Sequence, residues 1–206
     1  MEPLSSATRV SRHRWRRLRS VPAGVVTLIM ILALDTAPVQ AQAEETAVSN
    51  EYQIKAAFLL NFLKFIEWPS AVLPRNDSPI TIGILGQDPF GSALPDTLRD
   101  ENVRGHPLSL RRSSDINDLR ACQLIFISKS EAPREGQIIT SISELPILTV
   151  SDNAGFCREG GVIQLYLEDK KVRFMINQPG ALNLGLKVSS QLLNVAKVFG
   201  HPDGSR

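Results

Sequence analysis

The chain has 206 residues, with 23 basic and 21 acidic side chains and a formal net charge of +2. Residues 1–43 carry six arginines against Glu2 and Asp35, so without them 17 basic and 19 acidic residues remain and the balance turns slightly negative. The pI near 8.7 is therefore no sign of a nucleic-acid partner, and two cysteines with His106 and His201 give no metal-ligand spacing.

The first element is a basic opening, Arg9 to Arg19, followed by the apolar run Ala23 to Leu34 and the small-residue stretch Ala41-Gln42-Ala43. Charged start, apolar middle and small residues are the order of a secretory signal. The run is shorter than the roughly 20 residues of a membrane-spanning helix. We expect export to the periplasm and cleavage after residue 43, by the general route because Arg16-Arg17 is a poor twin-arginine match. An uncleaved N-terminal anchor is the alternative. Residues 44–50 read as a flexible lead-in, 51–200 as one folded domain and 201–206 as a tail.

Glu51 to Trp68 predicts a helix stopped by Pro69. It is apolar nearly all round, with Gln53, Lys55, Asn61, Lys64 and Glu67 interrupting, so two faces must be buried. Tyr52, Phe58, Phe62, Phe65 and Trp68 serve either the domain core or a dimer or partner contact. Ile80 to Leu85 reads as a strand. Asp88-Pro89 predicts a helix start running to Arg99, with Asp88 as N-cap. Leu108–Arg111 is a second strand, and Ser114-Asp115 caps a short helix through Leu119. Gln123–Ile127 is a third strand, a helix follows from Ser130 toward Ser143, and Ile147–Val150 is a fourth strand. Val162–Leu167 and Val172–Ile176 are too close for a helical crossover and form an antiparallel hairpin. Asn177-Gln178-Pro179 caps a last helix, Ala181 to Phe199, ended by Gly200. Strand–helix alternation with continuously apolar strands predicts an α/β fold: a three-layer α/β/α sandwich, mostly parallel, with the hairpin at one edge.

Ligands of such sheets bind at the carboxyl ends of the strands. Gly86 to Gly91 lacks both the G-x-G-x-x-G spacing and a phosphate-reaching lysine, and reads as turn and cap. Ser128-Lys129 pairs a nucleophile type with a base type, but neighbouring strand-end residues point apart, so cap and solvated charge fit better. The loop Ser151–Gly161 is the densest in polar groups and glycine. A lone Asp152 is a weak general acid or base, and the glycines fit a sharp reversal. With Arg173 and Asn177 nearby, Ser151, Asp152 and Phe156 nevertheless make the best candidate site for a small ligand or a partner. No catalytic, metal or cofactor residues are expected. Cys122 begins one strand and Cys157 lies beyond the end of the next, about 15–20 Å apart for a parallel pair. A disulfide needs Cα atoms within about 7 Å, so none is expected between them.

Several blocks resemble the YfiR/HmsC-like family of periplasmic regulators: residues 52–69 (Tyr-Gln-Ile-Lys-Ala-Ala-Phe through Glu-Trp-Pro), 86–91, 122–128, 151–156, 160–163, 173–177 and 185–193. The blocks run in the family's order over residues 50 to 198. The resemblance implies a non-enzymatic periplasmic protein that represses a membrane-bound diguanylate cyclase by binding its periplasmic domain, lowering cyclic di-GMP and biofilm formation. It implies a homodimer as well. Some relatives carry two internal disulfides; here Cys122 and Cys157 look like one cysteine from each pair, which casts doubt on redox control. A periplasmic small-molecule sensor with another membrane partner is the alternative.

Overall fold

The computed structural model describes residues 39–73 and 77–200. The chain divides into two compact units, Met1–Ala43 and Glu44–Arg206, and the fold is that of the second. The expected export segment, apart from residues 39–43, and the expected tail 201–206 lie outside the described residues. No helix among the described residues is long and apolar enough to cross a membrane.

The first helix, α1 (Val39–Phe65), begins upstream of Glu51 and takes in the polar segment 44–50. It gives way at once to a two-residue strand, β1 (Ile66–Glu67). The main sheet then builds from β2 (Ile80–Leu85), β3 (Asn102–Val103), β4 (His106–Ser113), β5 (Leu124–Ile127), β6 (Leu148–Ser151), β7 (Ile163–Glu168) and β8 (Lys171–Ile176). Short helices intervene: α2 (Ala93–Leu98), α3 (Glu135–Ser141), α4 (Gln178–Asn183) and α5 (Ser190–Leu193). The remaining strands are β9 (Lys187–Val188) and β10 (Lys197–Val198). The eight-stranded order is β10-β8-β7-β6-β5-β2-β4-β3. Five pairs are parallel: β10–β8, β2–β4, β2–β5, β5–β6 and β6–β7. The β7–β8 hairpin is antiparallel and turns at Asp169 and Lys170, both at positive φ, the backbone of a tight two-residue hairpin turn.

The strand alternation sorts the core into two layers. Ile80, Ile82, Ile84, Leu124, Phe126, Leu148 and Val150 face α1, where Ala56, Leu59, Phe62, Leu63 and Ile66 cover them. Leu85, Ile125 and Ile127 face the other way, against Leu119, Ile138, Ile139 and Phe156. Helices thus lie on both faces of a mostly parallel sheet, a three-layer α/β/α fold. Helix α1 is apolar nearly all round because Phe90, Leu94, Leu186 and Leu192 flank it while the sheet lies beneath. What remains to solvent is a stripe through Gln53, Ile54, Ala57, Asn61 and Lys64.

Three expected elements differ. Asp88 does not cap a helix: its Oδ1 accepts from the Phe90 amide and its Oδ2 pairs with Arg112 Nε at 2.6 Å, closing a local turn. Gly91 follows at φ +54, and the helix begins only at Ala93. The long C-terminal helix is instead α4, β9, α5 and β10. Gly185 at φ +73 ends α4, and β9 pairs antiparallel with β1, Ile66 against Val188. The hairpin is not the outermost element, because β10 adds in parallel outside β8.

Candidate functional site

The order reverses at β2, which has β4 on one side and β5 on the other, so the ligand crevice of such a fold would open past Leu85 and Ile127. The chain itself fills that crevice. Gln87 donates its amide to Ser130 Oγ, Ser128 and Ser130 share a hydrogen bond of 2.7 Å, and Glu131 is held by Arg134 at 2.5 Å. Gly86 sits at φ +85, and a Cβ there would lie 2.3 Å from Ser130 Oγ. Ser128 is bonded to Ser130 rather than to Lys129, so no serine–lysine pair forms.

One strand further on, alternation carries Asp152 onto the α1 side, next after Val150. There it meets Lys55 from the buried side of α1. Lys55 is 1 % exposed, an expensive place for an ammonium unless it is paired. Its Nζ lies 2.5 Å from Asp152 Oδ2 and 2.5 Å from Glu51 Oε1, and 4.3 Å from the centre of the Tyr52 ring. The Tyr52 hydroxyl donates to the same Asp152 oxygen at 2.9 Å, and Lys129 Nζ approaches it at 3.5 Å. Burial alone would raise the Asp152 pKa. The hydrogen bond and charge of Lys55, helped by Tyr52 and Lys129, outweigh it and hold the carboxyl below its ordinary value. Burial and then the Asp152 charge push the Tyr52 phenol well above its own ordinary value. A lysine, a tyrosine and an aspartate thus latch α1 to the carboxyl end of β6.

The five residues expected to share a site do not gather into one. Ser151 is buried and spent on structure: its hydroxyl donates to Ile127 O at 2.8 Å and accepts from the Asn153 amide. Phe156 is 0 % exposed and belongs to the core layer beneath α3. Arg173 is exposed on β8, 3.7 Å from Glu168. Asn177 caps α4, accepting from the Gly180 amide, and holds Gly161 O through its Nδ2. It also borders a cleft of about 470 Å³ with Ile139, Ile142, Thr149, Glu159 and Leu184. Only Asp152 keeps a site of its own, and its decisive partner is Lys55, expected only as an interruption of the apolar helix. The signal was there: positions 52, 55, 56, 59, 62, 63 and 66 make the buried stripe, and a lysine on such a stripe requires a buried acid.

The aromatic residues weighed as a dimer or partner face turn inward. Phe62 is fully buried, and Phe58 packs on Phe62 and Phe174. Tyr52 meets the Phe90 ring edge-on, half-buried Phe65 packs against the core, and Trp68 Nε1 donates to Gln123 O at 3.1 Å. Within the domain their contacts are with the sheet and with Phe90. Cys122 and Cys157 are both free and buried. Burial raises both thiols, that of Cys157 to about 12.

Residues 52–197, from the latch tyrosine to β10, match the YfiR/HmsC-like family over their whole length. The chain belongs to that family. Proteins of the YfiR/HmsC-like family are periplasmic regulators of diguanylate cyclase signalling rather than enzymes. Among solved structures, a conserved domain protein of Vibrio cholerae O1 biovar El Tor is similar at 12 % identity and a TM-score of 0.44, over 63 % of this chain and 56 % of that one. The ABC domain of a Streptococcus pneumoniae protein, solved with L-Trp, is similar at 12 % identity and a TM-score of 0.42, over 58 % and 55 %. The YfiR/HmsC-like chain spans just over half the length of these two.

Proposed function

We propose that this YfiR/HmsC-like protein works by contact: it represses a membrane-bound diguanylate cyclase by binding that enzyme's periplasmic domain, which lowers cyclic di-GMP and biofilm formation. The observation that carries the reading is the family match across residues 52–197, which takes in α1 from Tyr52 and every strand of the main sheet. The polar chemistry agrees with it. Asp152 is engaged by a lysine and a tyrosine, Ser128 by another serine, and His106 through Nδ1 by Ser78 O, at the start of β4 rather than at a carboxyl end. None of these groups has the nucleophile–base–orienter geometry of covalent catalysis. The working unit in this reading is a homodimer in the periplasm. Export runs through cleavage of the basic, apolar leader. The test is crosslinking in intact cells followed by purification of the protein from inner membranes. A diguanylate cyclase crosslinked through its periplasmic domain is the expected product; a membrane fraction without one overturns the proposal.

A second reading is favoured by the 470 Å³ cleft beside Asn177, which lies within the size range of small-molecule sites. There the protein is a periplasmic sensor whose bound ligand changes its hold on a membrane partner. A ligand that binds the free and engaged forms equally would shift nothing, so the discriminating measurement is ligand affinity with and without the partner.

A further inference from the structure

The cleft of about 470 Å³ beside Asn177 has a wall whose chemistry is one-sided. Ile139, Ile142 and Ile147 line it, and they belong to the core layer on the far side of the sheet from α1. Most of its polar side chains are already engaged within the fold. Thr140 Oγ1 donates to Gly136 O at 2.8 Å, and Ser143 Oγ donates to Thr140 O at 2.9 Å. Thr149 Oγ1 accepts from the Val162 amide at 3.0 Å, and Asn177 is bonded to Gly161 O and the Gly180 amide. Asn183 is exposed and uncharged. Glu159 is the one charged side chain among the lining residues, and it forms no ion pair among the described residues.

We propose that this cleft binds small amphipathic cations, with an ammonium group against Glu159 and an aliphatic chain on the isoleucine wall. The proposal names a ligand class for the sensor reading above and rests on that reading for its role, though not for its test. Charge selects the class. No lysine or arginine lines the cleft, and Arg158, the exposed neighbour of Glu159 in the chain, is not part of the wall. An anion would therefore meet an unbalanced carboxylate, whereas a cation completes it. A second acid adds to the field. Burial raises the carboxyl of Glu135, the Asn153 amide opposes that, and the Glu159 charge raises it further. The volume lies within the range of small-molecule sites, and an apolar wall with one placed polar group is their usual make-up.

The test is titration of the full-length protein with n-hexylamine at neutral pH, followed by amide NMR at Gly160 and Leu184. 1-Hexanol and hexanoate are matched probes that lack the charge or invert it. Saturable shifts are expected, with the amine bound most tightly and hexanoate most weakly. Glu159→Gln should weaken the amine about threefold, the scale of an exposed charge pair, and leave hexanol unchanged. Glu159→Lys should reverse the order of amine and hexanoate. Glu159 is exposed, so neither variant disturbs the core. No saturable shift, hexanol or hexanoate bound as tightly as the amine, or an amine affinity unmoved by Glu159→Gln overturns the proposal. Selective amine binding that the membrane partner leaves unchanged upholds the site and sinks the sensor reading alone.

Discussion

Replacing Lys55 by methionine tests whether the latch holds α1 to the sheet. The substitution keeps the volume and apolar stem of the side chain and removes only the charge. Asp152, 2 % exposed on its side chain, would be left with the Tyr52 hydroxyl and the solvent-exposed Lys129. Glu51 also loses its partner, but its side chain is 21 % exposed and water can replace the ammonium. Removing one member of a buried pair costs about 3–5 kcal/mol, because the other charge stays buried. For a domain of this size that corresponds to a fall in Tm of roughly 10 °C. Guanidinium and thermal unfolding followed by circular dichroism would read it, with the slope against denaturant unchanged. The double variant Lys55→Met, Asp152→Leu should recover most of the loss, since it buries no charge. A Lys55→Met loss under about 1 kcal/mol, the range of exposed pairs, would refute the reasoning.

Acid should act through the same carboxyl. The Asp152 pKa lies below its unfolded value, so its contribution is present above the ordinary carboxylate value and fades as pH falls through the folded one. The stability gap between the parent and Asp152→Asn should therefore be full at neutral pH and close in strong acid, as measured by denaturant midpoints across pH. Gly161→Ala should cost about 1–3 kcal/mol, because its Cβ would lie 2.2 Å from the ring of the fully buried Phe156; an unchanged midpoint would contradict that packing. Cys122 and Cys157 should resist a thiol reagent at mild alkaline pH and react only on unfolding, as both are buried with raised pKa. Rapid native-state labelling would count against it.

Elements fixed by their own residues were legible. Ile80–Leu85 is a short, mostly apolar run rich in β-branched residues and bounded by turns, and the strand has those limits. Asp115 and Asn177 cap where their side chains can reach the next amides, Asn117 and Gly180. What tertiary pairing decides was not legible. Residues 181–199 have helical spacing, yet Lys187-Val188 is drawn into pairing with β1, and Ser189 donates its amide to Phe65 O. Asp88-Pro89 has the form of a helix start, but Arg112, twenty-four residues on, claims the carboxylate. The site divides the same way. Asp152 stood out in its loop, while its meaning lay in Lys55, ninety-seven residues away. Phe156 and Ser151 have the residue types of a site, but burial assigns them to the core.

The central claim concerns control of cyclic di-GMP, and the nucleotide itself is the most direct readout. It should be quantified in cells carrying the gene, in cells lacking it, and in cells lacking it but supplied with the exported protein. The account predicts a rise on deletion that the exported protein reverses. Equal levels in all three strains would contradict it.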